Sequence, residues 1–220
     1  VCIFPSNSLA LAILPAPENT GIVFRRTDLE GKPEIEAKIE NVVETSRSTT
    51  LGKGNIRIHT VEHLLASLLA LEINNAYVEL DSCEPPICDG SAREFVRLIQ
   101  VSGIELQAAP VEPILLSSPI EFTVGETQMI AFPHDRLKIS CTSADKKGRF
   151  TQFYSLEVTP ESYVRDLASA RTFCFFEEIE GLIRGGLIKG GALENAVVIR
   201  DDAILTTEPL RYADEFVRHK

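Results

Sequence analysis

The sequence predicts an α+β fold of two similar domains, each a mostly antiparallel sheet packed against a pair of helices. Three observations predict it. Short apolar runs alternating at period two open each half. Helical stripes follow them, and the prolines of Gln107–Pro113 interrupt both periodicities near the middle of the chain. A length of 220 residues with 44% hydrophobic content suits either one large domain or two of about 100 residues. The boundaries implied are residues 1–109 for the first domain, 110–113 for a linker and 114–220 for the second.

In the first half, Leu9 to Leu14 is a short apolar strand stopped by the turn-rich Pro15–Gly21. Ile22-Val23-Phe24 reads as a buried strand. After Pro33, the residues Ile35, Ala37 and Ile39 alternate with polar ones as a half-buried strand does. Thr49 to Ile58 holds the tight turn Gly52-Lys53-Gly54-Asn55 and predicts a hairpin. Val61, Leu64, Leu65 and Leu68 then follow one apolar helical stripe, with Thr60 as the expected N-cap. Ala76–Leu80 returns to strand alternation. Glu84–Gly90 is a rigid loop, and Ser91 with Glu94 has the spacing of a capping box for a helix through Phe95, Leu98 and Ile99.

The second half repeats that order. Strands are expected at Ile114–Leu116, Ile120–Val124, Gln128–Phe132, Leu137–Thr142 and Phe153–Val158. Thr159 as cap and Pro160 at the first helical position open a helix to about Ser169. Ala170-Arg171-Thr172-Phe173 breaks it. A second helix, Phe175 to Ile183, ends at Gly185-Gly186, and Gly190-Gly191 leads to a strand at Ala196–Ile199. A last helix begins near Tyr212.

Composition excludes several classes of function. The net charge of −10 and the lack of any basic cluster argue against a nucleic-acid or anionic-membrane surface. The longest apolar runs, such as Leu64 to Leu71, fall far short of the ~20 residues of a membrane span, so a soluble chain is expected. Five cysteines, an odd number without a C-x-x-C pair, point to reduced thiols in a cytoplasmic protein. Val1–Pro5 carries no charged region or cleavage pattern of a signal peptide. The missing initiator Met and an end in mid-pattern predict a chain trimmed at both ends.

Chemistry concentrates at the start of the Thr60 helix. Glu62 and His63 lie in its first turn, where unpaired backbone N–H groups and the positive end of the helix dipole favour an ionised carboxylate. Such a carboxylate can act as a base beside a metal-ligating imidazole. It can equally be ordinary charge complementation. The sequence is not H-E-x-x-H, because Glu62 directly precedes His63. His59 and His63 are spaced i, i+4 and form a rival ligand pair, against which a helix capped at Thr60 argues.

Several stretches taken together extend this reading. Asn19–Asp28 (N-T-G-I-V-F-R-R-T-D), Thr60-Val61-Glu62-His63-Leu64, Asp89-Gly90-Ser91-Ala92, Ala170-Arg171-Thr172-Phe173 and Asp214–Lys220 (D-E-F-V-R-H-K) resemble the UDP-3-O-acyl-N-acetylglucosamine deacetylases, in the same order and over essentially the whole chain. The resemblance implies a zinc-dependent amidase that removes acetate from a UDP-linked, O-acylated amino sugar, the committed step of lipid A synthesis in Gram-negative bacteria, with its active site at the domain interface. It assigns His63 and His219 to zinc, Glu62 to proton transfer, Thr172 to the developing oxyanion, and Phe173 and Lys220 to substrate. It gives His59 no metal role. It places an acyl-chain passage in an insert at about 174–200, at Phe175, Ile179, Ile188, Gly190, Gly191, Ala192 and Val198.

The match departs from the family in two places. The third zinc ligand, an Asp four residues after His219, and a general-acid His fall beyond Lys220, so these 220 residues are expected to bind zinc weakly and to turn over poorly or not at all. A Gly-rich segment near the family's start is replaced by Val1-Cys2-Ile3-Phe4-Pro5. Alternative readings are a non-catalytic nucleotide-sugar or acyl-chain binding module, and the deacetylase half of a fusion with an acyl dehydratase.

Overall fold

The computed structural model of the protein describes residues 2–5, 10–184 and 192–220. Its first half runs β1 (Cys2–Pro5), β2 (Ala10–Pro15), β3 (Ile22–Arg26), β4 (Glu34–Glu36), β5 (Val42–Glu44), β6 (Thr50–Lys53), β7 (Ile56–Ile58), α1 (Glu62–Ala70), β8 (Ala76–Leu80) and α2 (Arg93–Ser102). The second runs β9 (Ile120–Val124), β10 (Thr127–Ala131), β11 (Lys138–Ala144), β12 (Thr151–Glu157), α3 (Pro160–Asp166), β13 (Phe173–Phe175), α4 (Phe176–Arg184), β14 (Val197–Arg200), β15 (Ala203–Leu205) and α5 (Glu215–His219). The fold is α+β, as expected, and its sheets are mostly antiparallel.

Period-two alternation builds the first half. Ala76, Val78 and Leu80 of β8 all turn to the core, with Val78 opposite Ile13 of β2 and opposite Phe24 of β3. The five-stranded sheet has the order β1-β2-β8-β3-β4, and only its β3–β8 pairing is parallel. The apolar stripe of α1 (Leu64, Leu68) and that of α2 (Phe95, Val96, Ile99) join the same buried cluster. Strands β5, β6 and β7 form a separate antiparallel sheet leading into α1.

The second half holds two hairpins, β9–β10 and β11–β12, and the sheet β13-β14-β15, in which β13 and β14 are parallel. Its own core is small: Val197, Ile199 and Phe216, flanked by Phe150, Phe173 and Phe175. Tyr163 of α3 and Ala168 behind it are buried in the first half's cluster. That packing seats α3, and the Ala170–Thr172 segment after it, against the first half.

Several local expectations need correction. Ile114–Leu116 forms no strand: it lies between Pro113 and Pro119 with Ile114 96% exposed, so neither ladder donors nor a buried face favour pairing. Ile39 sits in a 3₁₀ turn, Ile39–Asn41, rather than continuing β4. Thr60 does not cap α1. Its backbone is left-handed (φ 54°), the cap position is Val61, and no side chain closes that end. The Ser91/Glu94 capping box is likewise absent: Ala92 takes the cap position, Ser91 Oγ accepts from Arg93 N at 3.3 Å while donating to Asp89 Oδ1, and Glu94 pairs with Arg97. By contrast the Thr159–Ser162 box with Pro160 opens α3, which stops at Asp166, short of Ser169. The short strands β1, β5, β13 and β15 carry too few residues to register as periodic. Gly185-Gly186 and Gly190-Gly191 lie outside the described residues.

Candidate active site

The start of α1 is held from the β6 side. Val61 N donates to Thr49 O at 3.3 Å, and Thr49 N donates to Glu62 Oε2 at 2.9 Å. The pair of bonds anchors the Glu62 carboxylate through one oxygen. His63, the next residue, is half-buried, and Ser67 Oγ donates to its carbonyl at 2.8 Å. His59 is turned elsewhere: its Nδ1 lies 3.0 Å from Thr50 Oγ1, and it does not border the cleft described below.

The opposite wall is built on Ala170–Phe173 and α5. Thr172 N donates to Gly90 O at 2.8 Å, and Val197 N donates to Thr172 O at 2.9 Å, so this residue is pinned between the Asp89-Gly90 loop and β14. Gly90 has a positive φ of 80°, and a Cβ there would lie 2.0 Å from the Asn195 carbonyl oxygen. Only glycine permits so close an approach. His219 closes the arrangement from the last turn of α5. Its ring stands edge-on to that of His63, with centroids 5.2 Å apart.

Between these walls lies a cleft of about 620 Å³, bordered by Glu62 and His63 on one side and by Thr172, Phe173, His219 and Lys220 on the other. Phe173 packs on Phe150 and Phe216 behind, while Lys220 Nζ sits 5.5 Å from the centre of its ring. Six residues singled out from sequence thus meet in one place, although up to 158 positions separate them.

Electrostatics keep both imidazoles uncharged. Burial lowers the pKa of His63 despite the neighbouring Glu62 and Asp89 carboxylates. Burial, with His63 beside it, pulls His219 down to about 4. Both rings are neutral near pH 7, the form that offers a lone pair to a metal. His219 Nδ1 lies 3.2 Å from Ala170 O. A carbonyl only accepts, so Nδ1 carries the proton and Nε2 is left as the donor, the usual way a protein fixes the tautomer of a ligating histidine.

The donor set therefore fits two positions of a tetrahedral zinc site. A catalytic zinc normally takes three protein ligands, and among the described residues no cluster of three or more His, Cys, Asp or Glu side chains is close enough to hold an ion. Of the residues expected to line an acyl passage, the four that are described do not border the cleft. Phe175 stacks on Phe150 under the Arg149 guanidinium, Val198 is buried between Cys174 and Leu205, Ile179 is half-buried on α4, and Ala192 is exposed. Ile188, Gly190 and Gly191 are outside the described residues.

The family model for UDP-3-O-acyl N-acetylglycosamine deacetylase (LpxC) matches residues 1–220. The chain belongs to that family. It is 45% identical over 215 residues to the UDP-3-O-acyl-N-acetylglucosamine deacetylase of Acidithiobacillus ferrooxidans, a match covering 96% of this chain and 70% of the relative. It is 42% identical to the enzyme of the same name from Geobacter sp. strain M21, over 97% of the chain and 70% of the relative. The Myxococcus xanthus protein of that name is 42% identical over 213 residues, 68% of its own length.

Sequence reasoning missed the groups that hold this cleft in shape. Thr49 anchors Glu62 with a backbone N–H, which no side-chain pattern reveals. Arg171 and Glu215 lay inside the motifs quoted above without a role. They are 2% and 0% exposed and form a buried ion pair, with Arg171 Nε 2.9 Å from Glu215 Oε1.

Proposed function

We propose that the chain hydrolyses the acetamide of UDP-3-O-acyl-N-acetylglucosamine, releasing acetate and a free amine, in the committed step of lipid A biosynthesis. The observation that carries this reading is the meeting of Glu62, His63, Thr172 and His219 in one cleft between the two halves. His63 and His219 are the residues that would hold zinc. When bound, zinc supplies Lewis acidity that lowers the pKa of water from about 16 to about 7.

The remaining work falls to side chains. Glu62, anchored through Oε2 by Thr49, takes the water's proton on its other oxygen as the water oxygen attacks the acetyl carbon. The Thr172 hydroxyl donates to the oxygen that gains charge. The C–N bond then breaks as the nitrogen takes the proton held by Glu62, and acetate leaves. Lys220 supplies a cation beside the cleft for an anionic nucleotide sugar, and Phe173, which borders the same cleft, packs on the sugar. The resemblance assigns Phe175, Ile179, Ile188, Gly190, Gly191, Ala192 and Val198 to the acyl chain; the four of them that are described stand outside the cleft itself.

Substrate of this kind is a small molecule, and the acidic charge balance supports no nucleic-acid role. No helix among the described residues is long and apolar enough to cross a membrane. We assign the protein to the cytoplasm of a Gram-negative cell, on its odd cysteine count and its UDP-sugar substrate.

The test is metal content and turnover of the full natural chain. Glu62→Ala keeps zinc and loses roughly 10²- to 10⁴-fold in kcat, the usual worth of a general base. His63→Ala loses zinc. Wild-type turnover in both variants refutes the assignment.

A further inference from the structure

We propose that Glu215, through its ion pair with Arg171, is the positioning residue that holds the Thr172 hydroxyl and the His219 imidazole in one geometry. The inference rests on the deacetylase reading above and concerns groups that the reaction itself does not touch.

Glu215 opens α5 and is fully buried. Both of its oxygens are used. Oε1 accepts from the Arg171 backbone N at 2.9 Å and from Arg171 Nε at 2.9 Å, and Oε2 accepts from Arg171 Nη2 at 3.1 Å and from Arg211 N at 2.7 Å. Arg171 is equally committed. Besides Glu215, its Nη1 reaches Thr206 Oγ1 at 3.1 Å and Glu208 Oε1 at 3.4 Å, and its Nη2 donates to Pro209 O at 2.9 Å. The planar guanidinium thus has a partner for each of its five donors. Burial by itself raises the Glu215 carboxyl, but the Arg171 side chain and the backbone donors outweigh it and hold the group below its ordinary value. An ion pair satisfied in this way stays charged in the interior and has a single arrangement.

What that arrangement fixes is the position of its neighbours in sequence. Arg171 directly precedes Thr172, and His219 lies four residues after Glu215, one helical turn along α5. The Ala170 carbonyl, on the other side of Arg171, accepts from His219 Nδ1. Moving Glu215 therefore shifts α5 relative to residues 170–172, and shifts His219 relative to the Thr172 hydroxyl. The clamp also reaches the first half. Arg211, whose backbone N bonds Glu215, places Nη1 2.8 Å from Asp89 Oδ2, beside the Gly90 carbonyl that holds Thr172 N. None of Arg171, Arg211 or Glu215 borders the cleft.

The experiment compares wild type, Glu215→Gln and Glu215→Asp in the full natural chain. The readouts are kcat and KM per folded molecule and the visible d–d spectrum of protein loaded with Co²⁺ in place of zinc. Glu215→Gln removes the charge at nearly constant volume, and Glu215→Asp keeps the charge but withdraws it by one methylene. A positioning role predicts a kcat lower by roughly ten- to a hundred-fold with KM within about two-fold, and altered Co²⁺ bands in both variants, the Asp variant being the milder. A merely structural role lowers the melting temperature and leaves kcat per folded molecule and the Co²⁺ bands as in wild type. That result overturns the proposal. If Glu215→Gln does not fold, Glu215→Asp alone decides by the same two readouts. Absence of both Co²⁺ binding and deacetylation in wild type would instead sink the deacetylase reading, so the two failures are distinct.

Discussion

Replacing Gly90 by Ala tests whether the close approach of the Asp89-Gly90 loop to β14 holds the active-site geometry. The added Cβ would lie 2.0 Å from the Asn195 carbonyl oxygen, 2.8 Å from its carbonyl carbon and 3.3 Å from Thr172 Cγ2, on a backbone with φ of 80°. An ordinary contact is about 3.4 Å, so the loop and the Asn195 segment must part by more than an ångström. Overpacking of this kind costs about 1–3 kcal/mol. The left-handed backbone adds roughly 1–2 kcal/mol for a residue with a Cβ. The sum, about 2–5 kcal/mol, lowers the melting temperature by roughly 4–20 °C in a chain of this size. Separation also pulls on Thr172, which bonds Gly90 through its N–H and Val197 through its carbonyl. A shift of about 1 Å at Thr172, the oxyanion donor proposed above, costs on the order of 10²-fold in kcat. Thermal melts followed by circular dichroism, with kcat measured well below the melting point, give both numbers. A Gly90→Ala variant that melts within about 2 °C of wild type with kcat unchanged refutes the reasoning.

Two further predictions concern the backbone and pH. Thr60→Gly relieves a β-branched residue held at φ 54°, worth about 1–3 kcal/mol, against about 0.5–1 kcal/mol of added chain entropy, so the melting temperature rises by a few degrees; a melt equal to or below wild type counts against strain at this site. On acidification, metal-free protein loses stability in two stages. His219 titrates at about 4 when folded and near 6.5 when unfolded, so the unfolded chain binds its proton first and stability falls as pH drops through that window. Asp89 and Glu215 have folded values below their ordinary ones, so their contribution is complete above about pH 4–5 and is lost as pH falls through the folded values. Melting temperatures from pH 7 to pH 3 read both stages, and a flat profile between pH 6.5 and 4 contradicts the buried neutral imidazole.

The residues legible in the sequence share a property: their signal is local. The alternation of Ala76, Val78 and Leu80, the Thr159-Pro160 helix start and the stripe on α1 each depend on neighbours within a turn or two, and each appears where the pattern puts it. Local rules failed where a competing partner took the same group. Ser91 had the spacing of a cap, but the helix begins one residue later, with Ala92 at the cap position, and Glu94 turns to the Arg97 guanidinium instead of back to the helix start. Thr60 had the chemistry of a cap, but its backbone is left-handed and the cap position passes to Val61, whose N is tied to Thr49 O.

The site divides along the same line. Glu62 and His63 could be noticed because they begin one helix, yet the choice between His59 and His63 depended on contacts no spacing encodes. His59 is bonded to Thr50, whereas His63 meets His219 from the far half of the chain. The groups that position the chemistry were less legible still. Arg171 and Glu215 are 44 residues apart, and Arg211 reaches Ser91 across 120. Taken singly, a buried Arg or Glu in a composition with 25% charged residues reads as solvated surface. Only when folding places Glu215 against two donors of the Arg171 side chain and two backbone N–H groups does the cost of burying charge become a constraint on geometry. That constraint acts on Thr172 and on His219 together, through one residue of chain on one side and one turn of helix on the other. The reacting groups can therefore come from distant parts of the sequence and still keep a fixed separation.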